Sequence, residues 1–170
     1  MSKTLLIFVA LCFIFKASTI TPRHFSIHSQ NRTTPIYSFV PISGTNLTFD
    51  IRAKDEARLA LTTGPALVGP YYEIIISGRD KLMNQVIKDY PGNVVASRIR
   101  THVIEHEFRS FTLFWNNSRI ALHGAQAGDE YMVVSYRRSG DTAFNYIGFS
   151  SGNSSEATFV FEDYGHQIGY

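Results

Sequence analysis

The sequence predicts an all-β protein, an antiparallel β-sandwich of jelly-roll type with about ten strands, preceded by a cleaved signal peptide. Three observations lead to this fold class. Apolar and polar residues alternate in one segment after another, turn sequences separate these segments, and none of them has the three-and-four apolar spacing of an amphipathic helix. The chain has 170 residues, 44% of them hydrophobic and 18% charged, which excludes a disordered or fibrous protein. No internal repeat or linker divides it, so we expect one domain.

The clearest strand is the segment 47–53, in which four apolar residues alternate with three polar ones, as in a half-buried strand. Further strands are predicted at 59–61, 71–77, 85–88, 94–100, 108–115, 119–123, 132–136, 144–149 and 157–161. In 108–115 the inward side chains are expected to be Phe111, Leu113 and Trp115. The turn sequence at 116–118 follows directly, so residues 111–123 are predicted to form a β-hairpin.

The beginning of the chain predicts export. Eleven consecutive apolar residues, 5–15, follow Lys3, and a membrane-spanning helix would need about 20. A short apolar run of this kind is typical of a secretory signal peptide, which we place at residues 1–17. We expect a flexible N-terminal arm over 18–35, the β-sandwich domain over 36–162 and a tail over 163–170.

The charge balance limits the classes of partner. Removal of residues 1–17 takes away Lys3 and Lys16, so the 16 basic residues fall to 14 and equal the 14 acidic ones. A neutral chain has no general basic field for nucleic acid, and we expect a neutral or mildly polar partner. The one cysteine, Cys12, leaves with the leader, so the core must hold the fold without a disulfide.

Four Asn-x-Ser/Thr sequons agree with a secreted, extracellular location. They lie at Asn31, Asn46, Asn116 and Asn153, and a used sequon marks an exposed position because its glycan must reach solvent. Asn116 is the best candidate, since it lies at the predicted hairpin tip. The alternative is that these asparagines are simply turn residues.

Motifs for catalysis are weak. The string from His102 to His106 matches the His-x-x-Glu-His pattern of zinc proteases, but on a strand residues four apart are separated by roughly 13 Å. That is too far for two ligands of one zinc ion, so we interpret the string as a loop. The adjacent acids at 129–130 and 162–163 are expected in solvated loops. No metal and no cofactor is predicted from the residues.

Two sets of side chains are candidates for ligand contact. Most of the aromatic residues fit core positions, but Tyr71, Tyr136 and Tyr164 are candidates to stand on an outer face and stack on a sugar or peptide. Arg98 and Arg100 share one face of their predicted strand, and with Asn145 they form a possible ligand face. The alternative is that the two arginines are solvated surface residues.

The order of several segments resembles the farnesoic acid O-methyltransferase-like domain, a family common in arthropod proteins. The matching blocks are 37–41, 49–55 with 58–61, 72–78, 107–115, 119–124 and 146–150. One departure is the loop after 72–78, where the family shows a paired glycine, an asparagine and a Ser-x-Ile-Arg string, whereas this chain has Ser77-Gly78 and then 85–88. The resemblance implies methylation of farnesoic acid with S-adenosylmethionine in hormone synthesis. The same domain is also found as a module of larger extracellular proteins, which implies recognition.

The sequence therefore favours a secreted, N-glycosylated module that binds a glycan, lipid or protein without catalysis. The alternative is an S-adenosylmethionine-dependent farnesoic acid O-methyltransferase in juvenile-hormone-type synthesis.

Overall fold

The computed structural model describes residues 23–29, 34–78, 82–89, 91–100, 102, 105–126, 128–152 and 155–163. Within these ranges the chain forms twelve strands in two six-stranded antiparallel sheets that pack face to face, which confirms the predicted all-β sandwich. No helix in the described ranges has the length and apolar character needed to cross a membrane. The predicted signal peptide, 1–17, lies outside the described residues.

The first sheet, sheet A, brings together strands from both ends and the middle of the chain. Its order is β1 (Arg23–Ser29), β12 (Ala157–Asp163), β3 (Asn46–Ala53), β8 (Arg109–Trp115), β9 (Arg119–Gln126) and β10 (Asp129–Arg137). The hairpin predicted from the turn at 116–118 is confirmed as β8 and β9, whose register pairs Trp115 with Ile120. A β-bulge between Met132 and Val134 interrupts the pairing of β10 with β9.

The second sheet, sheet B, is built mainly from one run of consecutive strands. Its order is β2 (Ser38–Pro41), β11 (Tyr146–Ser151), β4 (Ala57–Thr62), β5 (Tyr72–Ser77), β6 (Met83–Lys88) and β7 (Asn93–Ile99). The strands β4 to β7 follow one another as neighbours, since consecutive strands usually lie next to each other in space.

The core lies between the sheets and is rich in phenylalanine. Phe149 of sheet B meets Phe49 of sheet A edge to face, with ring centroids 6.4 Å apart, and stacks on Phe161 at 5.3 Å. The inward set predicted for β8, Phe111, Leu113 and Trp115, is buried. Aromatic side chains bury large areas, and truncation of a buried phenylalanine typically costs about 3–5 kcal/mol.

The predicted N-terminal arm is wrong for residues 23–29. These residues form β1 and pair with β12 along its whole length, from Arg23 opposite Asp163 to Ser29 opposite Ala157. The segment alternates too weakly in hydrophobicity to be recognised as a strand. It pairs at the sheet edge, where the partly buried side chain of Ile27 packs against the core.

Candidate functional site

The outer face of sheet A carries an open groove of about 400 Å³ that exposes an aromatic ring beside charged groups. We call it the Phe114 groove. Phe114 is 39% exposed, whereas its neighbours Leu113 and Trp115 point into the core, because successive strand residues face opposite sides of a sheet. The lining residues are Thr45, Phe114, Trp115, Asn116, Arg119, Ala121, His123 and Glu130.

Small and polar neighbours keep the ring of Phe114 accessible. Ala121 of β9 lies directly opposite Phe114 in the sheet register, and its methyl group covers little of the ring. His123 meets the ring edge to face, with centroids 5.4 Å apart and planes at 74°. Nδ1 of His123 lies 3.1 Å from Oε1 of Glu130 on β10. The groove therefore combines an aromatic surface with a paired imidazole and carboxylate.

A second compartment of about 280 Å³ continues the groove along the same face. It shares His123 and Glu130 with the first compartment, so the two compartments adjoin at these residues. Its lining is mainly apolar but includes the hydroxyl groups of Thr48, Ser110 and Thr112, and the hydroxyl oxygens of Thr48 and Thr112 lie 3.0 Å apart. The lining residues are Thr48, Ser110, Phe111, Thr112, His123, Gly124, Ala125, Gly128 and Glu130.

This combination suits a ligand that presents hydroxyl groups beside an apolar face. Binding sites usually pair apolar or aromatic surface with a few placed polar groups that fix orientation. Here Phe114 offers the apolar surface, and Glu130 and Arg119 offer a charged acceptor and a charged donor. Hydrogen bonds to charged groups are roughly twice as strong as those between neutral groups.

Two of the four sequons lie at the rim of the Phe114 groove. Asn46 pairs with Phe114 across β3 and β8, and Asn116 lines the groove. Asn116 Oδ1 accepts hydrogen bonds from the backbone N–H groups of Ser118 and Arg119 and from the Ser118 hydroxyl, each at 2.9 Å. Both asparagines are exposed, as glycan acceptors must be. The sequons at Asn31 and Asn153 lie outside the described residues.

The three residues of the possible ligand face, Arg98, Arg100 and Asn145, do not lie together in the structure. Arg98 donates to the carbonyl oxygen of Met132 on β10, and the guanidinium of Arg100 lies 4.7 Å from the ring centre of Tyr131 on the same strand. Both arginines thus bridge the open edges of the two sheets at β7 and β10. Asn145 precedes β11, and the strands β4, β5 and β6 separate it from them. A role of the three in ligand binding stays a prediction.

The aromatic residue that faces solvent in the groove is not one of the predicted tyrosines. Tyr71 is buried and Tyr136 packs against the core, whereas Tyr164 lies outside the described residues. Glu130 was expected in a solvated loop with Asp129, but both residues belong to β10. Neither Phe114 nor His123 is among the side chains that the sequence singles out for ligand contact, and the pairing of β8 with β9 is what brings the two rings together.

A buried polar network lies on the outer face of sheet B. The Tyr37 hydroxyl and Arg58 Nη1 both donate to Glu73 Oε1, the latter at 2.9 Å, while Arg58 Nε donates to Glu56. The ring of Tyr37 crosses Gly148, where a Cβ atom would come within 2.9 Å of it. The network therefore ties the segment before β2 to β4 and β5.

Charge and burial fix the protonation states in this network. Burial and then the carboxylate of Glu73 raise the pKa of Tyr37, so its hydroxyl stays protonated. Burial alone would lower the pKa of Arg58, but the carboxylates of Glu56 and Glu73 raise it above its usual range. Glu73 Oε2 is buried and has no hydrogen-bond partner among the described residues. The other polar contacts are internal, which indicates a structural role.

The His-x-x-Glu-His string does not form a metal site. His102 is 1% exposed and stacks on Tyr131, with centroids 5.2 Å apart, whereas Glu105 and His106 are exposed. Across the described ranges, no group of three or more histidine, cysteine or acidic residues could hold a metal ion. Burial, followed by the positive charges of Arg100, Arg109 and Arg98, lowers the pKa of His102 to about 4.

Comparison with known proteins gives one family match and several structural neighbours. The family model described as farnesoic acid O-methyltransferase matches residues 23–164. No curated protein sequence is significantly similar to the chain.

The solved structures share the fold at low sequence identity. A carbohydrate-binding module from Bacillus subtilis has a TM-score of 0.54 at 13% identity, over 88% of this chain and 91% of that one. Lactose-liganded congerin II has a TM-score of 0.52 at 12% identity, over 75% and 100%. A galectin from Caenorhabditis elegans has a TM-score of 0.51 at 8% identity, over 81% and 95%. These values establish the galectin-like and carbohydrate-binding-module-like sandwich fold.

Proposed function

The chain belongs to the farnesoic acid O-methyltransferase family, and we propose that it is a secreted, N-glycosylated module that binds glycans in the Phe114 groove without catalysis. The observation that carries the proposal is the exposed ring of Phe114 beside the His123–Glu130 pair. A sugar presents C–H groups on one face of its ring and hydroxyl groups around the edge. The C–H groups match an aromatic surface, and the hydroxyl groups match charged donors and acceptors.

The fold likeness supports a glycan over the other ligand classes. Among the structural neighbours, one is named as a carbohydrate-binding module and another contains lactose. Lipid acyl chains gain most from a continuous apolar lining, whereas hydroxyl and charged groups interrupt this groove. A protein partner in a standard interface covers about 800 Å² on each side, which calls for a broad contact surface.

The family description favours a second candidate, methyl transfer from S-adenosylmethionine to farnesoic acid. The described residues do not fit a nucleotide-like cofactor in the usual way, because both sheets are antiparallel. Such cofactors typically bind at the carboxyl edge of parallel strands joined by helices. We derive no catalytic step from this candidate.

Calorimetric titration with S-adenosylmethionine separates the two candidates. We expect no heat of binding, and no methylated product when farnesoic acid is added. A dissociation constant in the micromolar range, or formation of the methyl ester, would overturn the non-catalytic part of the proposal.

Replacement of Phe114 by alanine tests the groove. A glycan array first identifies a bound glycan, and calorimetry then compares the variants with that glycan. We expect Phe114→Ala to weaken binding by about tenfold, because aromatic contact is worth around 1.4 kcal/mol. Phe108→Ala is the matched control, since Phe108 is 43% exposed and stacks under Arg52 at 4.8 Å, outside the groove.

The protein for this titration should have its N-glycans trimmed by an endoglycosidase. Glycans at Asn46 and Asn116 would emerge at the rim of the groove and compete for the same space. Equal losses of glycan affinity in Phe114→Ala and Phe108→Ala would contradict the assignment of the site. The absence of any bound glycan on the array would contradict the proposed function.

A further inference from the structure

A basic depression of about 520 Å³ adjoins the Phe114 groove. Its lining consists of Ser118, Arg119, Ser135 and Arg137. Arg119 lines both the depression and the groove, so the two adjoin at this residue. The hydroxyl groups of two serines and the guanidinium groups of two arginines dominate the chemistry of this surface.

The two arginines face each other without a compensating acid. Arg119 and Arg137 are direct register partners on β9 and β10, and like charges directly opposite each other destabilise a sheet. In the part of the chain that the structure describes, neither arginine forms an ion pair with a carboxylate. Glu130 is engaged with His123. An anion bound between the arginines would remove the repulsion.

The bulge in β10 is what brings Arg137 to this face. Glu130 and Met132 lie on the outer face, and strict alternation would direct Arg137 inward. The extra residue between Met132 and Val134 shifts the register, so that Ser135 and Arg137 face outward as well. Bulges commonly re-aim side chains near functional sites.

Hydrogen bonds orient the groups that would meet an anion. Arg119 Nε donates to the Ser135 hydroxyl at 2.9 Å, and its Nη2 approaches Met132 Sδ at 3.7 Å. Because the Ser135 oxygen accepts from Arg119, its own hydrogen is available to donate. Arginine forks bind sulfate and carboxylate groups in a bidentate manner.

We propose that this depression binds the sulfate or carboxylate group of an acidic glycan whose neutral part occupies the Phe114 groove. The proposal rests on the proposed function and names its ligand class. It differs from the neutral partner expected from the charge balance, because a net charge sums over the whole chain. At physiological ionic strength, salt limits the range over which charges interact to about 8 Å. A bound group therefore responds to the charges near it and not to the net charge of the chain.

The test compares lactose, 3′-sulfolactose and 3′-sialyllactose as calorimetric ligands of the wild type, Arg137→Ala and Arg52→Ala. The sulfated and sialylated sugars distinguish a sulfate from a carboxylate. Arg52→Ala is the control, because it removes the same charge from the same face of sheet A, outside the depression. We expect the wild type to bind at least one acidic sugar about tenfold or more tightly than lactose, since hydrogen bonds to charged groups contribute on that scale.

In Arg137→Ala this preference should disappear while the affinity for lactose is unchanged, and Arg52→Ala should keep it. Equal binding of all three sugars to the wild type would overturn the basic subsite and leave glycan binding standing. Equal losses of the preference for acidic sugars in Arg137→Ala and Arg52→Ala would also overturn the basic subsite. A parallel NMR titration with sodium sulfate tests anion binding in the depression alone. If sulfate shifts the signals of Arg119 and Arg137 but none of the three sugars binds, the depression is not a glycan subsite. That result would also count against glycan binding in the groove.

Discussion

Replacement of Arg58 by methionine is expected to lower the free energy of unfolding by about 3–5 kcal/mol, because it leaves the buried carboxylate of Glu73 without its charged partner. Arg58 is 8% and Glu73 1% exposed, and Nη1 of Arg58 donates to Glu73 at 2.9 Å. Glu73 already has one oxygen without a partner among the described residues. Chemical denaturation of the wild type and the variant measures the change.

Two further variants make this result specific. Arg109→Met breaks the more exposed pair of Arg109 with Glu107 and should cost less than about 1 kcal/mol. Adding Glu73→Gln to Arg58→Met should recover part of the loss, because it removes the uncompensated charge. Similar losses in Arg58→Met and Arg109→Met would show that the network on sheet B does not stabilise the fold.

Acidification from pH 7 to pH 4 is expected to lower the free energy of unfolding by about 3 kcal/mol through His102 alone. The pKa of His102 is about 4 in the folded protein and about 6.5 in the unfolded chain. Between these values the unfolded chain binds a proton that the folded protein does not, so stability falls as the pH falls. The contribution is fully present above pH 6.5 and is lost as the pH falls towards 4.

Denaturation curves at pH 7, 5.5 and 4 measure this contribution by comparison with His102→Phe. The variant should lose less stability on acidification, because phenylalanine keeps an aromatic ring against Tyr131 and binds no proton. His106→Phe is the control at an exposed position of the same string. If wild type and His102→Phe lose stability in parallel, the buried neutral imidazole is not the cause.

The period-two pattern was sufficient to predict the sandwich and the inward set of β8, because alternation reports which side chains share a face. It does not report what covers the outer faces. Glu73 and Arg58 are outward residues of sheet B, yet they are buried, and Tyr37 reaches the network from a segment far away in sequence. Such burial depends on tertiary contacts that no local pattern contains.

The same limit applies to the candidate site. Phe114 was expected in the core with the other phenylalanines, since hydrophobicity alone does not separate an exposed ring from a buried one. Glu130 becomes a partner of His123 only when β10 pairs with β9, and Arg137 faces outward only because of the bulge. The sequence could predict the hairpin that carries Phe114 and His123, but not the neighbours supplied by β3 and β10.

The proposed function depends on glycan binding at the outer face of sheet A. Its most direct test is an amide ¹H–¹⁵N NMR titration of the trimmed protein with the glycan that the array identifies. We expect shifts concentrated on β8, β9 and β10, around Phe114, His123 and Glu130, with little change on β4 to β6. Shifts concentrated on the outer face of sheet B, around Arg58 and Glu73, would contradict it.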